Sequence, residues 1–241
     1  MRHLILALIL SIATLPAMAQ DTDLELVLMA DASGSIDPGE LQLQRQGYAT
    51  AITDPDVIAA IRNTAYGSIA VVYVEWAANQ AVVVDWMRID GIEAATAFAA
   101  QLDNPVRRAL GRNAIGSALL RGMQLIEEND INGWRRVIDF SGDSINNWSG
   151  PSIAEARDQV LAAGITINGL PLMLNDDMGR AATLEDAYRD QIIGGPNAFT
   201  LPTASREDFA AAVKRKLILE ISNLTPEMMF ASDDQRWMLS R

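Results

Sequence analysis

Apolar residues fall along this 241-residue chain in short runs, with amphipathic stretches between them. The run 26–30, Leu-Val-Leu-Met-Ala, has no polar member, the pattern of a strand buried on both faces. Residues 69–76, 81–88, 136–141 and 165–172 also read as strands, and 198–201 as a shorter sixth. Helices are predicted over 38–53, 55–62, 92–102, 114–128, 151–163 and 205–221. Their ends are marked by Asp37-Pro38 at the first start, Gly164 after a stop, and Ser205 as the last cap. The connection Ala77-Ala78-Asn79-Gln80 is short enough for a hairpin, so the strands beside it run antiparallel. Strands alternating with helices predict a doubly wound α/β fold. Its sheet has about six strands, mostly parallel with one antiparallel edge strand, and helices on both faces. One domain is expected over 20–221, with a tail at 222–241. A long loop over 175–197 contains a short helix near 184–191.

The amino terminus has a different pattern. Met1-Arg2-His3 is basic, residues 4–15 are almost wholly apolar, and Ala17-Met18-Ala19 is a small-residue cleavage site before Gln20. This reads as a signal peptide over residues 1–19. The alternative is an uncleaved anchor, but its apolar core of roughly 12 residues falls short of the ~20 that span a bilayer. No later stretch is apolar enough to span. The expected location is therefore periplasmic or secreted, most simply from a Gram-negative bacterium.

Composition narrows the chemistry. The chain has no cysteine, and its single histidine, His3, lies in the leader. That excludes a thiol nucleophile, a zinc–thiolate site, a Ser-His-Asp triad and histidine-ligated metal. Without Arg2 there are 18 basic and 31 acidic side chains, a formal charge of −13. Such a chain repels nucleic acid and anionic lipid and attracts divalent cations or basic partners. A metal here must be held by oxygen, which points to Mg²⁺, Mn²⁺ or Ca²⁺.

Three segments carry that chemistry. Asp31-Ala32-Ser33-Gly34-Ser35 follows the first apolar run, and a helix start follows it in turn. That order projects oxygens from the carboxyl end of a strand, where open α/β sheets place ligands. Asn113-Ala114-Ile115-Gly116-Ser117-Ala118-Leu119 opens another helix, and Ser141-Gly142-Asp143 ends a central strand. In this order the three segments resemble the metal-ion-dependent adhesion site of von Willebrand factor A domains. The resemblance covers the chain from the leader to about residue 221. It implies that Ser33 and Ser35 bind the metal directly and that Asp31 and Asp143 act directly or through water. Asn113 stands where the family has threonine, and Ser144 where glycine often follows the acid. An open coordination position would then take a carboxylate from a protein partner, with Asn146, Asn147 and Trp148 on the contact rim. Segments 135–143 and 192–199 further resemble an uncharacterised group of exported bacterial A-domain proteins.

Other readings stay open. The same groups serve equally as helix caps in a metal-free scaffold subunit. A Mg²⁺-dependent phosphohydrolase would use Asp31 or Asp143, but haloacid-dehalogenase-like phosphatases need a second aspartate where Ser33 stands. Glu75, Asp85 and Asp139 are expected to be paired or edge-facing strand residues rather than functional acids. Gly194-Gly195-Pro196-Asn197 reads as a turn, since its glycines lack phosphate-loop spacing. Met228, Met229, Phe230, Trp237 and Met238 in the tail either pack on the domain or dock to a partner.

Overall fold

The structure is a computed structural model, and it describes residues 20–104, 106–174, 181–203 and 205–228. The leader, residues 175–180 of the long loop, and Met229, Phe230, Trp237 and Met238 of the tail lie outside the described residues.

The apolar runs become the strands of one sheet. These are β1 (Gln20–Asp31), β2 (Ile69–Trp76), β3 (Gln80–Ile89), β4 (Ile131–Gly142) and β5 (Thr166–Pro171), in the order β3-β2-β1-β4-β5. Pairing is parallel throughout except between β2 and the edge strand β3, which the short 77–79 connection makes antiparallel. The expected sixth strand does not form as a strand. Residues 200–203 make isolated parallel bridges instead, Gly169 to Thr200 and Leu172 to Thr203.

Helices α1 (Pro38–Ile52), α2 (Pro55–Arg62), α3 (Ile92–Leu102) and α7 (Phe209–Ser222) cover one face. Helices α4 (Ile115–Glu127), α5 (Ile153–Ala162) and α6 (Ala181–Gln191) cover the other. Because successive strand residues point to opposite faces, Leu24, Leu26 and Leu28 join the first core, and Val27 and Met29 the second. Both faces being buried explains why these strands show no polar alternation. Asp37 and Glu40 close a capping box at the start of α1, and Ser152 and Glu155 one at α5. The last helix begins at Phe209 rather than at Ser205, whose hydroxyl instead accepts the Asp208 N–H in the preceding turn, at 3.1 Å. Gly47 lets α1 and α7 approach, since a Cβ there would lie 2.3 Å from Phe209 Cδ1.

One acid pair sits inside the first core. Lys216 on α7 reaches Asp139 on β4 at 2.7 Å and Glu220 at 2.5 Å, and Asn168 donates to Glu220 at 3.0 Å. Burial pushes the Glu220 carboxyl up to about 7 against the opposing pull of Lys216.

Candidate metal centre

Three loops meet at the carboxyl end of the sheet. Asp31 ends β1 fully buried. Its Oδ1 accepts the Ser33 N–H at 2.8 Å, its Oδ2 accepts the Asp143 N–H at 3.4 Å, and its backbone carbonyl accepts from Gln44 at 2.8 Å. Ser33 is buried, Ser35 is exposed, and their hydroxyl oxygens lie 3.2 Å apart. Gly142 must be glycine here: a Cβ would lie 3.1 Å from Asp31 Oδ2 and 2.9 Å from the Trp76 ring. Asn113, before α4, is buried. Its amide donates to Ser144 Oγ at 3.0 Å, which leaves Oδ1 as the acceptor end. The loops are tied by Gly34 N–H to the Gly111 carbonyl and Trp148 N–H to the Asn113 carbonyl, each at 2.9 Å.

Among the described residues no ion pair reaches either acid. Burial, and then the charge of Asp143, push the Asp31 carboxyl up to about 7. Burial also raises Asp143, and nearby Glu40 adds to that against a hydrogen bond from Ser35. Asp143 Oδ1 is buried with no hydrogen-bond partner. Among the described residues no group of three or more His, Cys, Asp or Glu converges. The donor set is thus two carboxylates, two hydroxyls and an amide, all hard oxygens that could hold Mg²⁺, Mn²⁺ or Ca²⁺.

The expected rim separates into two kinds of residue. Asn146 and Trp148 are exposed and line a cleft of about 940 Å³ beside Ser35, Asn113 and Asp143. Asn147 instead turns its amide inward, accepting the Gly116 N–H at 3.3 Å and donating to the Pro151 carbonyl at 2.8 Å. Of the other acids, Glu75 is buried against Arg45 at 2.5 Å, Asp139 against Lys216, and Asp85 is exposed on the edge strand β3.

Two arginines of the α3–α4 connection went unnoticed in the sequence. Arg107 donates to the carbonyls of Ala32, Ser33 and Ile36 at 2.5, 3.1 and 2.6 Å, clamping the loop that carries both serines. Arg112 lies over Trp148, 4.8 Å from its ring centroid. For Arg112 the available signal was its place directly before Asn113.

A five-stranded sheet of this topology, with an acid-and-hydroxyl loop at its carboxyl end, is a von Willebrand factor A-like fold. The chain belongs to the family described as a protein of unknown function, DUF1194, which matches residues 21–225. No curated protein matches its sequence. Among solved structures, it is similar to the pilus adhesin SpaC from Lactobacillus rhamnosus GG. The TM-score is 0.60 at 12% identity, over 84% of this chain and 31% of that one. A von Willebrand factor type A protein from Catenulispora acidiphila gives 0.60 at 13% identity, over 83% and 43%. Proximal thread matrix protein 1 from the mussel byssus, with a zinc-occupied MIDAS motif, gives 0.59 at 16% identity, over 86% and 50%. The chain thus spans half or less of each of these proteins, and at such identities the likeness is one of fold.

Proposed function

We propose that this protein is an exported binding module that engages a protein partner through a divalent metal. Asp31, Ser33, Ser35, Asn113 and Asp143 would hold the ion. One observation carries the reading: the fold treats its two buried acid pairs differently. Asp139 and Glu220 share Lys216, whereas Asp31 and Asp143 have no ion pair among the described residues. Two carboxylates pushed up together, one with an orphan buried oxygen, await a cation from solution. When bound, the metal supplies an electrophilic position for an incoming carboxylate. Asp31 and Asp143 balance its charge, Ser33 and Ser35 present hydroxyls, and the Asn113 carbonyl replaces the family threonine. Binding is favoured over phosphoester hydrolysis because Ser33, not a carboxylic acid, stands two residues past Asp31. The adhesin and matrix-protein neighbours support an extracellular or envelope role, consistent with a leader over residues 1–19 and a periplasmic or secreted location. No helix among the described residues is long and apolar enough to cross a membrane. A metal-free scaffold is the second reading, favoured by the Asn113–Ser144 hydrogen bond, which ties two of the loops without an ion.

The test is thermal unfolding in EDTA and then in Mg²⁺, Mn²⁺ or Ca²⁺, with Asp143→Ala as control. An ion at ~100 times its Kd adds about 2.7 kcal/mol, roughly 5–10 °C for a domain of this size. The rise should vanish in the variant. Wild-type melting that no ion shifts would favour the scaffold.

A further inference from the structure

The cleft above the acid pair is larger than one carboxylate needs, and its chemistry is uneven. Ile36, Ile145, Leu172 and Leu184 make an apolar wall, and Trp148 stands exposed at the rim. The described acids on its lining are already engaged: Glu40 accepts from Arg206 at 3.0 Å, and Asp143 belongs to the proposed metal set. Of the described lining residues, Arg112 is the only cation. Its Cζ lies over the Trp148 ring, and no hydrogen bond or ion pair engages its guanidinium among the described residues. A guanidinium is a fork of N–H donors matched to a carboxylate.

We infer that the cleft takes an extended acidic peptide segment of the partner. One carboxylate reaches the metal, a neighbouring bulky aliphatic or aromatic side chain seats against Ile145, Leu172 and Leu184, and a second acidic group meets Arg112. The inference rests on the metal reading above and adds what the ligand must carry besides its carboxylate. Charge complementarity selects this occupant. The chain carries a formal charge of −12, which repels an acidic segment elsewhere. The metal and Arg112 together make this cleft the place where such a segment is attracted, fixing its register. A basic segment would meet Arg112 as a like charge.

Two measurements keep the inference and its basis apart. Calorimetric titration with Mn²⁺ alone tests the metal site. Panning a random-peptide phage library on the purified protein in Mn²⁺, with elution by EDTA, tests the ligand. Eluted peptides should share an acidic residue beside Leu, Ile, Met, Phe or Trp, with a second acid nearby. Serine in place of the apolar residue should weaken binding about 10-fold or more. Leu184→Ser should weaken these peptides to a similar extent with Mn²⁺ affinity unchanged, and Arg112→Gln should erase the advantage of the second acid. If Mn²⁺ binds but eluted peptides show no apolar preference, or none elute, or Leu184→Ser binds them like wild type, the inference falls and the metal reading stands. If Mn²⁺ does not bind, both fall.

Discussion

Replacing Asp31 by asparagine separates charge from shape at the metal site. In the metal-free protein the buried Asp31 carboxyl is held at about 7, against an ordinary 3.8, first by burial and then by Asp143. At 1.36 kcal/mol per tenfold change, keeping it ionised above pH 7 costs the fold about 4 kcal/mol. The sign follows from the raised value. The fold favours the protonated form, so this contribution is complete below pH ~4 and is lost as pH rises through ~7. Asparagine keeps the shape and an acceptor for the Ser33 N–H but cannot also accept from Asp143, a loss of roughly 1 kcal/mol. In EDTA at pH 8, Asp31→Asn should therefore be more stable than wild type by about 2–3 kcal/mol, roughly 5–10 °C. Below pH ~4 the advantage should disappear.

Metal should reverse that order. An ion at ~1,000 times its Kd adds about 4.1 kcal/mol to wild type and little to a variant missing one of two carboxylates. Differential scanning calorimetry of both proteins, at pH 4 and 8, with EDTA or Mg²⁺, gives all the comparisons needed. If Asp31→Asn were the less stable protein in EDTA at pH 8, Asp31 would have to be compensated within the chain, and the case for a solution cation would fail.

Three further substitutions probe the supports. Arg107→Lys keeps the charge but loses the fork that holds three carbonyls of the serine loop; Mn²⁺ affinity by titration should fall about 10- to 100-fold, and an unchanged Kd would show that the clamp does not organise the site. Lys216→Met leaves Asp139 and Glu220 buried without their cation, so urea unfolding at pH 8 should show a loss of about 3–5 kcal/mol. Burial raises both carboxyls, Glu220 to about 7, so the loss should shrink at pH 5, where Glu220 takes up a proton; a loss equal at both values would refute the charge account. Gly47→Ala drives a methyl into the Phe209 ring and should destabilise by about 1–3 kcal/mol, whereas melting like wild type would mean that α1 and α7 separate freely.

The site's outline was legible because each of its three loops is a local pattern at the end of an apolar run. Helices α2 and α3 and strand β2 fall where hydrophobic spacing and caps put them. The first half of β4 did not, since Asn132 and Trp134 face outward. That half is held by backbone pairing with β1 and by Glu25, which accepts the Gly133 N–H at 2.8 Å. Periodicity reports which side chains are buried, not which backbone groups pair. Arg107 was invisible for a related reason. Its partners are main-chain carbonyls more than seventy positions away, and a carbonyl leaves no mark in a sequence.

The two acid pairs differ in what compensates them, and on the proposed reading only the pair at the carboxyl end of the sheet would answer to an ion from solution. Lys216 comes from the same helix as Glu220, four residues earlier, so α7 brings its own cation to that pair. Among the described residues nothing comparable is built in beside Asp31 and Asp143, and their repulsion acts across the contact that joins the first loop to the third, the Asp143 N–H to Asp31 Oδ2. A cation there would remove the repulsion and let the existing bonds between the loops act without opposition: Gly34 to Gly111 and Trp148 to Asn113. On the proposed reading, metal binding would therefore strengthen the loops that form the cleft as it completes the site, coupling the ion to whatever the cleft holds.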